Sequence, residues 1–151
     1  MDTFKNINEI LDFAMVAEQE AFEFYSELAA KSTNDAIRNV FEQFATEEKG
    51  HKSKLAHIKQ VGSFELKSGN VADLKIADYT VTVDAKPNMS YQEALIVAMK
   101  KEKAAFHLYL DLSNKAQDEN IRSLFLLLSQ EEAKHKLRFE IEYDEFVLRE
   151  N

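Results

Sequence analysis

Two short motifs, each a glutamate followed three residues later by a histidine, have the residue types and the spacing of metal ligands. One motif runs from Glu48 to His51 and the other from Glu132 to His135, 84 residues further along the chain. Three residues along a helix return a side chain to within about 60° of its starting direction, so the carboxylate and the imidazole of each motif can reach one ion. One such motif arises often by chance, but two in the same register of a repeat predict a metal site.

The two motifs belong to an internal repeat. A shift of 84 residues aligns residues 14–51 with residues 98–135 without a gap. Most of the identical pairs are apolar, as the core of a helical protein requires. Four repeated glutamates are the exception, because each lies in the middle of the apolar stripe of its helix: Glu18, Glu48, Glu102 and Glu132. An isolated carboxylate in a core is costly or takes up a proton, so these four need compensation.

Two divalent ions balance the charge of these side chains, whereas one ion does not. Four carboxylates carry a charge of about −4, metal-bound histidines are neutral, and two divalent cations supply about +4. Carboxylate and imidazole ligands suit iron or manganese, with zinc as a third candidate. The alternatives are a buried polar network without metal, two separate ligand sets, and a pair of sites of which one is empty. We predict a two-metal site formed by Glu18, Glu48, His51, Glu102, Glu132 and His135.

Other residues whose side chains could take part in chemistry are assigned supporting or ordinary roles. Tyr25 and Tyr109 each lie two helical turns from a ligand glutamate, where they either donate hydrogen bonds to metal ligands or simply pack in the core. His57 and His107 point about 140–180° away from the ligand faces and are interpreted as ordinary residues. The chain has no cysteine, which excludes disulfides, thiolate metal sites and iron–sulfur clusters.

Four helices are predicted to position the ligands, over residues 7–31, 35–61, 91–115 and 119–148. Only three glycines and one proline are present, which favours an all-α protein, and we expect a single domain over residues 1–151. The short connections make helices 1 and 2, and helices 3 and 4, antiparallel hairpins.

Residues 62–89 break the helical pattern between the two hairpins. A crossover along a four-helix bundle explains a connection of this length and makes helices 2 and 3 parallel. Within it, Tyr79–Val83 has β character, which would instead allow pairing with a partner subunit.

The net charge and the hydropathy of the chain exclude other classes of protein. A net charge of −8 disfavours nucleic-acid binding, which needs a basic surface. No stretch approaches the roughly 18 apolar residues of a membrane span, and the N-terminus lacks the basic and apolar regions of a signal peptide. We therefore expect a cytoplasmic protein that binds neither nucleic acid nor membranes.

The repeated ligand pattern resembles that of the ferritin-like di-iron carboxylate proteins, and among them the rubrerythrin group. That class carries one glutamate on each of two helices and a Glu-x-x-His motif on each of the other two. The resemblance implies a ferritin-like four-helix bundle with two iron ions and no haem. It also implies that Glu48 and Glu132 bridge the two ions, while Glu18 with His51, and Glu102 with His135, complete one ion each.

Two features depart from the peroxidase-type rubrerythrins that the pattern resembles. Those proteins are similar in their ligands but carry an additional carboxylate one turn after the helix 3 ligand, where this chain has Ala105. They also contain a rubredoxin domain, which requires cysteine. The resemblance thus implies an oxidoreductase that defends against oxidative stress by reducing hydrogen peroxide or dioxygen. Its electrons would come from an external donor, for which a rubredoxin is the candidate.

The main alternative is a ferroxidase that stores or delivers iron. The six-ligand set is similar to that of bacterioferritin, but little chain follows helix 4 to form the fifth helix of a ferritin cage. Lys52 follows His51, and no methionine that could bind haem is evident. We therefore expect a homodimer rather than a cage. A di-manganese catalase and a metal-free interaction bundle are the remaining readings.

Overall fold

Four long helices make up most of the computed structural model, which describes residues 3–61, 74–81 and 89–150. The helices are α1 (Ile7–Lys31), α2 (Asp35–Val61), α3 (Tyr91–Lys115) and α4 (Glu119–Glu150). The predicted all-α four-helix bundle is confirmed. Most of the predicted crossover, residues 62–73 and 82–88, lies outside the described residues.

A polar side chain before each helix satisfies backbone N–H groups of its first turn. Asn6 accepts a hydrogen bond from the third residue of α1 at 2.8 Å, and Asn34 does the same for α2 at 3.2 Å. Ser90 and Glu93 form a reciprocal capping box at the start of α3, and Asp118 accepts from two N–H groups of α4. Free N–H groups at helix ends need such partners, which is why these polar residues mark where the helices begin.

Side-chain contacts show that each hairpin is antiparallel. Lys59, near the end of α2, forms an ion pair at 2.5 Å with Asp12, near the start of α1. At the other hairpin, Gln92 at the start of α3 donates to Tyr143 near the end of α4 at 3.5 Å. The chain therefore reverses direction within each pair of sequential helices, as the short connections predict.

The two hairpins pack together so that α2 and α3 run in the same direction. Tyr25 in the second half of α1 contacts Glu102 in the first half of α3, and Tyr109 later in α3 contacts Glu18 earlier in α1. Helix α1 is thus antiparallel to both α2 and α3. A long crossover between α2 and α3 is what this direction requires.

Part of the connection between the hairpins is described and packs against one end of the bundle. Thr3 and Lys75 form an isolated antiparallel bridge, and a short 3-10 helix, Ile76–Tyr79, follows. The Tyr79 hydroxyl donates to Asp111 of α3 at 2.6 Å. The β character expected from Tyr79 onward is not seen as a strand in residues 79–81, and residues 82–83 lie outside the described part.

Two apolar clusters fill the bundle on either side of a polar middle layer. One cluster contains Leu11, Leu55 and Phe125, and the other contains Phe41 and Phe139. On every helix the glutamates of the predicted site lie between residues of the first cluster and residues of the second. Apolar packing on both sides therefore keeps this layer in place.

Candidate metal centre

All six predicted ligands are buried in the middle layer of the bundle, each with no more than 2% of its surface exposed. They form two groups of four, within which one potential ligand atom of each residue lies within 4.8 Å of the others. Two glutamates belong to both groups. The first group is Glu18, Glu48, His51 and Glu132, and the second is Glu48, Glu102, Glu132 and His135.

Each histidine turns its Nδ1 atom toward the carboxylates. Nδ1 of His51 lies 3.2 Å from Glu132 Oε1 and 3.5 Å from Glu18 Oε2. Nδ1 of His135 lies 2.8 Å from Glu48 Oε1 and 3.6 Å from Glu102 Oε1. The two rings are nearly parallel, with centroids 6.3 Å apart. Each imidazole can therefore supply one nitrogen to its own group of carboxylate oxygens.

Several atoms of this layer lack a hydrogen-bond partner among the described residues, although buried polar atoms are nearly always paired. They are Oε2 of Glu18, Nδ1 of His51, Oε2 of Glu102 and Oε1 of Glu132. Carboxylate oxygens and imidazole nitrogens are the donors that iron, manganese and zinc accept. The donor set thus fits two divalent ions, one in each group, with Glu48 and Glu132 shared.

Burial and mutual repulsion favour the protonated forms of three carboxylates in this layer. Burial, together with the charge of Glu132, raises the pKa of Glu102 to about 8. Burial also raises the pKa of Glu48 and of Glu132, to which neighbouring carboxylates add. For His51, burial alone would lower the pKa, but contacts with Glu132 and Glu18 outweigh it and raise the pKa to about 11. Metal binding must displace such protons.

Tyr25 and Tyr109 donate hydrogen bonds to ligand carboxylates of the opposite hairpin. The Tyr25 hydroxyl lies 2.5 Å from Oε1 of Glu102, and the Tyr109 hydroxyl lies 2.5 Å from Oε1 of Glu18. Burial, and then the charge of the contacted glutamate, raise the pKa of both phenols well above the ordinary value, so the hydroxyls keep their protons. Each tyrosine occupies one oxygen and leaves Oε2 of the same carboxylate for a metal.

Two glutamates that the sequence analysis did not select hold the outer nitrogens of the histidines. Glu131 contacts Nε2 of His51, and Glu47 contacts Nε2 of His135 at 3.2 Å. A carboxylate on Nε2 keeps a proton there and leaves the Nδ1 lone pair for a metal. Both glutamates repeat at the spacing of 84 residues. This repetition of Glu47 as Glu131 was the only sign of their role in the sequence. Each of them directly precedes a candidate ligand and lies off the apolar stripe of its helix.

Glu142 is a further buried carboxylate that the sequence analysis missed. It is 1% exposed, lies two turns beyond His135 on α4 and accepts a hydrogen bond from Arg149 at 3.0 Å. The repeat places Ile58 at the corresponding position, so no repeated glutamate marks it. His57 and His107, which were interpreted as ordinary, are exposed and belong to neither group of potential ligands.

A cavity of about 530 Å³ opens between α1 and α3 and reaches all four glutamates of the middle layer. Small side chains of both helices leave this space, among them Ala17, Ala21 and Ala105. Neither histidine lines the cavity. Small molecules thus have access to the carboxylate side of the centre, while on the imidazole side the ring of Phe44 stacks on that of His135, with centroids 4.0 Å apart.

None of the helices in the described residues combines the length and the apolar character needed to cross a membrane.

Comparison with known structures agrees with the fold. The chain is similar to a hypothetical protein from Pyrococcus furiosus, with 25% identity and a TM-score of 0.68, over 89% of this chain and 86% of that one. It also shares its fold with a Thermotoga maritima protein assigned as a ferritin-like diiron-carboxylate protein, with 20% identity, a TM-score of 0.77, and 96% and 99% of the two chains covered. No curated protein resembles the chain significantly in sequence.

The sequence profile of the rubrerythrin family matches residues 2–85, which is more than half of the chain and includes α1, α2 and three of the six candidate ligands. The resemblance that the repeated motifs indicate is therefore confirmed, and the chain belongs to the rubrerythrin family.

Proposed function

We propose that the protein is a di-iron oxidoreductase that reduces hydrogen peroxide or dioxygen with electrons from an external donor. The observation that carries this proposal is the pair of candidate ligand groups sharing two glutamates, open to small molecules on the side between α1 and α3. When bound, two irons joined by shared carboxylates would supply two electrons together, which is the number that cleavage of one peroxide bond consumes. Manganese or zinc would occupy the same ligands but would support different chemistry.

The residues of the chain prepare the centre for such a reaction. Tyr25 and Tyr109 each hold one carboxylate oxygen through a hydroxyl that stays protonated, which fixes the direction of the remaining oxygen. Glu47 and Glu131 hold the imidazoles with Nδ1 turned inward. Ligands held in place before the oxidant arrives need little rearrangement during the reaction.

The cavity supports a small oxidant as the substrate. Phe24, Leu108 and alanines of both helices form apolar walls, so a small uncharged molecule such as hydrogen peroxide or dioxygen can enter at a lower desolvation cost than an ion. An electron donor has no comparable access, since the buried centre is surrounded by helices. Electrons would reach it through the protein from a donor bound at the surface, and a rubredoxin is the candidate donor.

Anaerobic stopped-flow mixing of the reduced, iron-loaded protein with hydrogen peroxide tests the proposal. We expect rapid oxidation of two irons per chain. A double Glu48→Ala/Glu132→Ala variant removes both shared ligands and should lose the fast phase. The double variant Glu42→Ala/Glu145→Ala changes exposed glutamates of the same two helices and is the matched control. Oxidation of the native protein that is no faster than that of the Glu48→Ala/Glu132→Ala variant would refute the proposal.

A ferroxidase that stores or delivers iron is the second candidate, and one observation favours it. Glu20, Glu23 and Glu27 lie along the rim of the cavity, where their charge would attract ferrous ions. Storage requires a large hollow assembly, whereas a peroxide reductase does not. A light-scattering mass of many chains, together with retention of far more than two irons per chain, would favour storage over peroxide reduction.

A further inference from the structure

The outer face of α4 exposes several large apolar side chains. Leu137 is 58% exposed and Leu148 is 75% exposed, and Leu127 and Ile141 on the same face are 44% and 39% exposed. The ligands Glu132 and His135 lie on the opposite, buried face of this helix. Isolated apolar residues are common on surfaces, but four large ones that share one face of a helix, with polar residues between them, are typical of a surface that meets a partner.

The stripe follows the spacing of a coiled-coil seam. Its positions alternate by three and four residues, and every one of them is exposed: Leu127, Gln130, Lys134, Leu137, Ile141, Asp144 and Leu148. This 3.5-residue period keeps one narrow face of a helix against a second helix over its length. The seam therefore fits another helix rather than a globular pocket or a lipid surface.

The two charged seam positions decide which helix can pair with it. Lys134 and Asp144 form no ion pair within the described part of the chain. In a parallel pair of identical α4 helices, each would face its own copy, and like charges would repel. In an antiparallel pair, Lys134 faces Asp144 of a second copy, and the same contact occurs twice.

We infer that the outer face of α4 is a dimer interface, at which α4 helices of two copies pair antiparallel about an axis at the level of Phe139. In this register Leu137 of one copy packs against Ile141 of the other, and the two Lys134–Asp144 layers flank these apolar layers. Shifting the register by one heptad places Asp144 against an apolar residue, Leu127 or Ile141, and loses the charge pairing. The chain thus supplies both sides of a self-complementary surface.

This inference goes beyond the proposed reaction and does not depend on it, because the seam and the metal ligands occupy opposite faces of α4. Light scattering of the full chain, with and without metal, measures the mass directly. We expect twice the chain mass of 17.4 kDa. The single chain mass at a protein concentration of about 100 μM would overturn the inference, since even weak specific pairing is populated there.

Substitution of Leu137 tests whether the dimer uses this face. Leu137→Asp places a charge at the centre of the seam and should yield the single chain mass, with helicity and bound metal unchanged. Val61→Asp is the matched control, because Val61 is equally exposed, at 55%, but lies at the end of α2 away from the seam. A Leu137→Asp variant that keeps the double mass would show that another surface forms the dimer.

Exchanging the charges of Lys134 and Asp144 tests the direction and the register in which the two α4 helices pair. Lys134→Asp and Asp144→Lys each create like-charge layers and should raise the dissociation constant of the dimer about tenfold or more. The double variant Lys134→Asp/Asp144→Lys restores opposite charges and should return the dissociation constant to near the native value. Failure of the double variant to recover would overturn the antiparallel register.

Disulfide formation between introduced cysteines tests which residues face each other in the dimer, and it does not depend on a change in the dissociation constant. The native chain has no cysteine, so introduced cysteines report only on each other. Mixed Lys134→Cys and Asp144→Cys chains should form an intermolecular disulfide on mild oxidation, whereas either variant alone should not. Cross-linking of Lys134→Cys with itself would instead demonstrate a parallel pair and overturn the inference.

Discussion

Glu131 of α4 accepts a hydrogen bond from Nε2 of His51 of α2, which belongs to the other half of the repeat. Glu47 and His135 make the reciprocal contact. Removing such a carboxylate frees the imidazole to rotate and lowers its basicity, which typically costs about 10–100-fold in metal affinity. Glu131→Ala should therefore weaken the binding of one of the two metals, and Glu47→Ala should weaken the binding of the other. Titration against a competing chelator measures both affinities.

The control for both variants is Glu42→Ala, which removes an exposed glutamate of α2. Equal metal affinities for Glu131→Ala, Glu42→Ala and the native protein would show that Glu131 contributes nothing to the centre.

Tyr25→Phe should destabilise the metal-free protein and move metal binding to higher pH. The variant leaves Oε1 of Glu102 buried without its donor, which costs about 1–3 kcal/mol. The Tyr25 hydrogen bond also lowers the pKa of Glu102, so its loss raises that pKa further and makes the proton harder to displace. Denaturant unfolding and metal titrations at several pH values measure the two effects. Tyr143→Phe, at a half-buried tyrosine outside the centre, is the comparison.

The metal-free protein should lose stability as pH rises. The pKa of Glu102 is raised from the ordinary 4.5 to about 8, and those of His51 and His135 from 6.5 to about 11 and about 9. Groups with raised pKa values stabilise the folded state below their unfolded values, and this stability disappears as pH passes the folded values. Thermal unfolding with a chelator should thus show a lower Tm at about pH 9 than at about pH 6.

The variant Glu102→Gln tests the origin of that pH dependence. Glutamine cannot ionise, so the metal-free variant should be more stable than the native protein at about pH 9 and should show a flatter dependence of Tm on pH. The same variant should bind metal less tightly, since an amide oxygen replaces a carboxylate. If Tm of the variant falls with pH as steeply as Tm of the native protein and of the control Glu42→Gln, the pH dependence arises elsewhere in the chain.

Ala105→Leu should discriminate between oxidants by size. Ala105 lines the cavity between α1 and α3, and a leucine there narrows the approach to the glutamates. We expect oxidation of the reduced centre by tert-butyl hydroperoxide to slow about tenfold more than oxidation by hydrogen peroxide, because steric exclusion of a bulky group typically has this size. Ala56→Leu, on the exposed face of α2, should change neither rate. Equal slowing with both oxidants would mean that substrates do not enter through this cavity.

The helices and the ligand candidates could be predicted because both depend on local periodicity. Apolar residues at helical spacing define α1 to α4, and the cap residues Asn6 and Ser90 mark where two of them begin. Glu18 and Glu102 stand out because a charge interrupts an apolar stripe at the same place in both halves. Residue type and position on the helix were sufficient for these predictions, and the structure brings all six candidates together.

Residues that act across the gap between helices could not be selected in the same way. Glu47 and Glu131 precede ligand glutamates by one residue and point about 100° away from them, so each resembles a surface glutamate. Their roles depend on the distance to a histidine of another helix, which only packing decides. Glu142 lacks a repeat partner, so no pattern in the sequence marks its burial or its hydrogen bond with Arg149.

Each hairpin contributes one glutamate to the group of candidate metal ligands that belongs mainly to the other hairpin. A hairpin with only Glu18, Glu48 and His51 would obtain the same six residues by pairing with a second hairpin of its own sequence, since the other three are their repeats. With both hairpins in one polypeptide, a substitution in either half alters hydrogen bonds and ligands in both groups. Neither group of candidate ligands is therefore complete until the two hairpins have packed against each other.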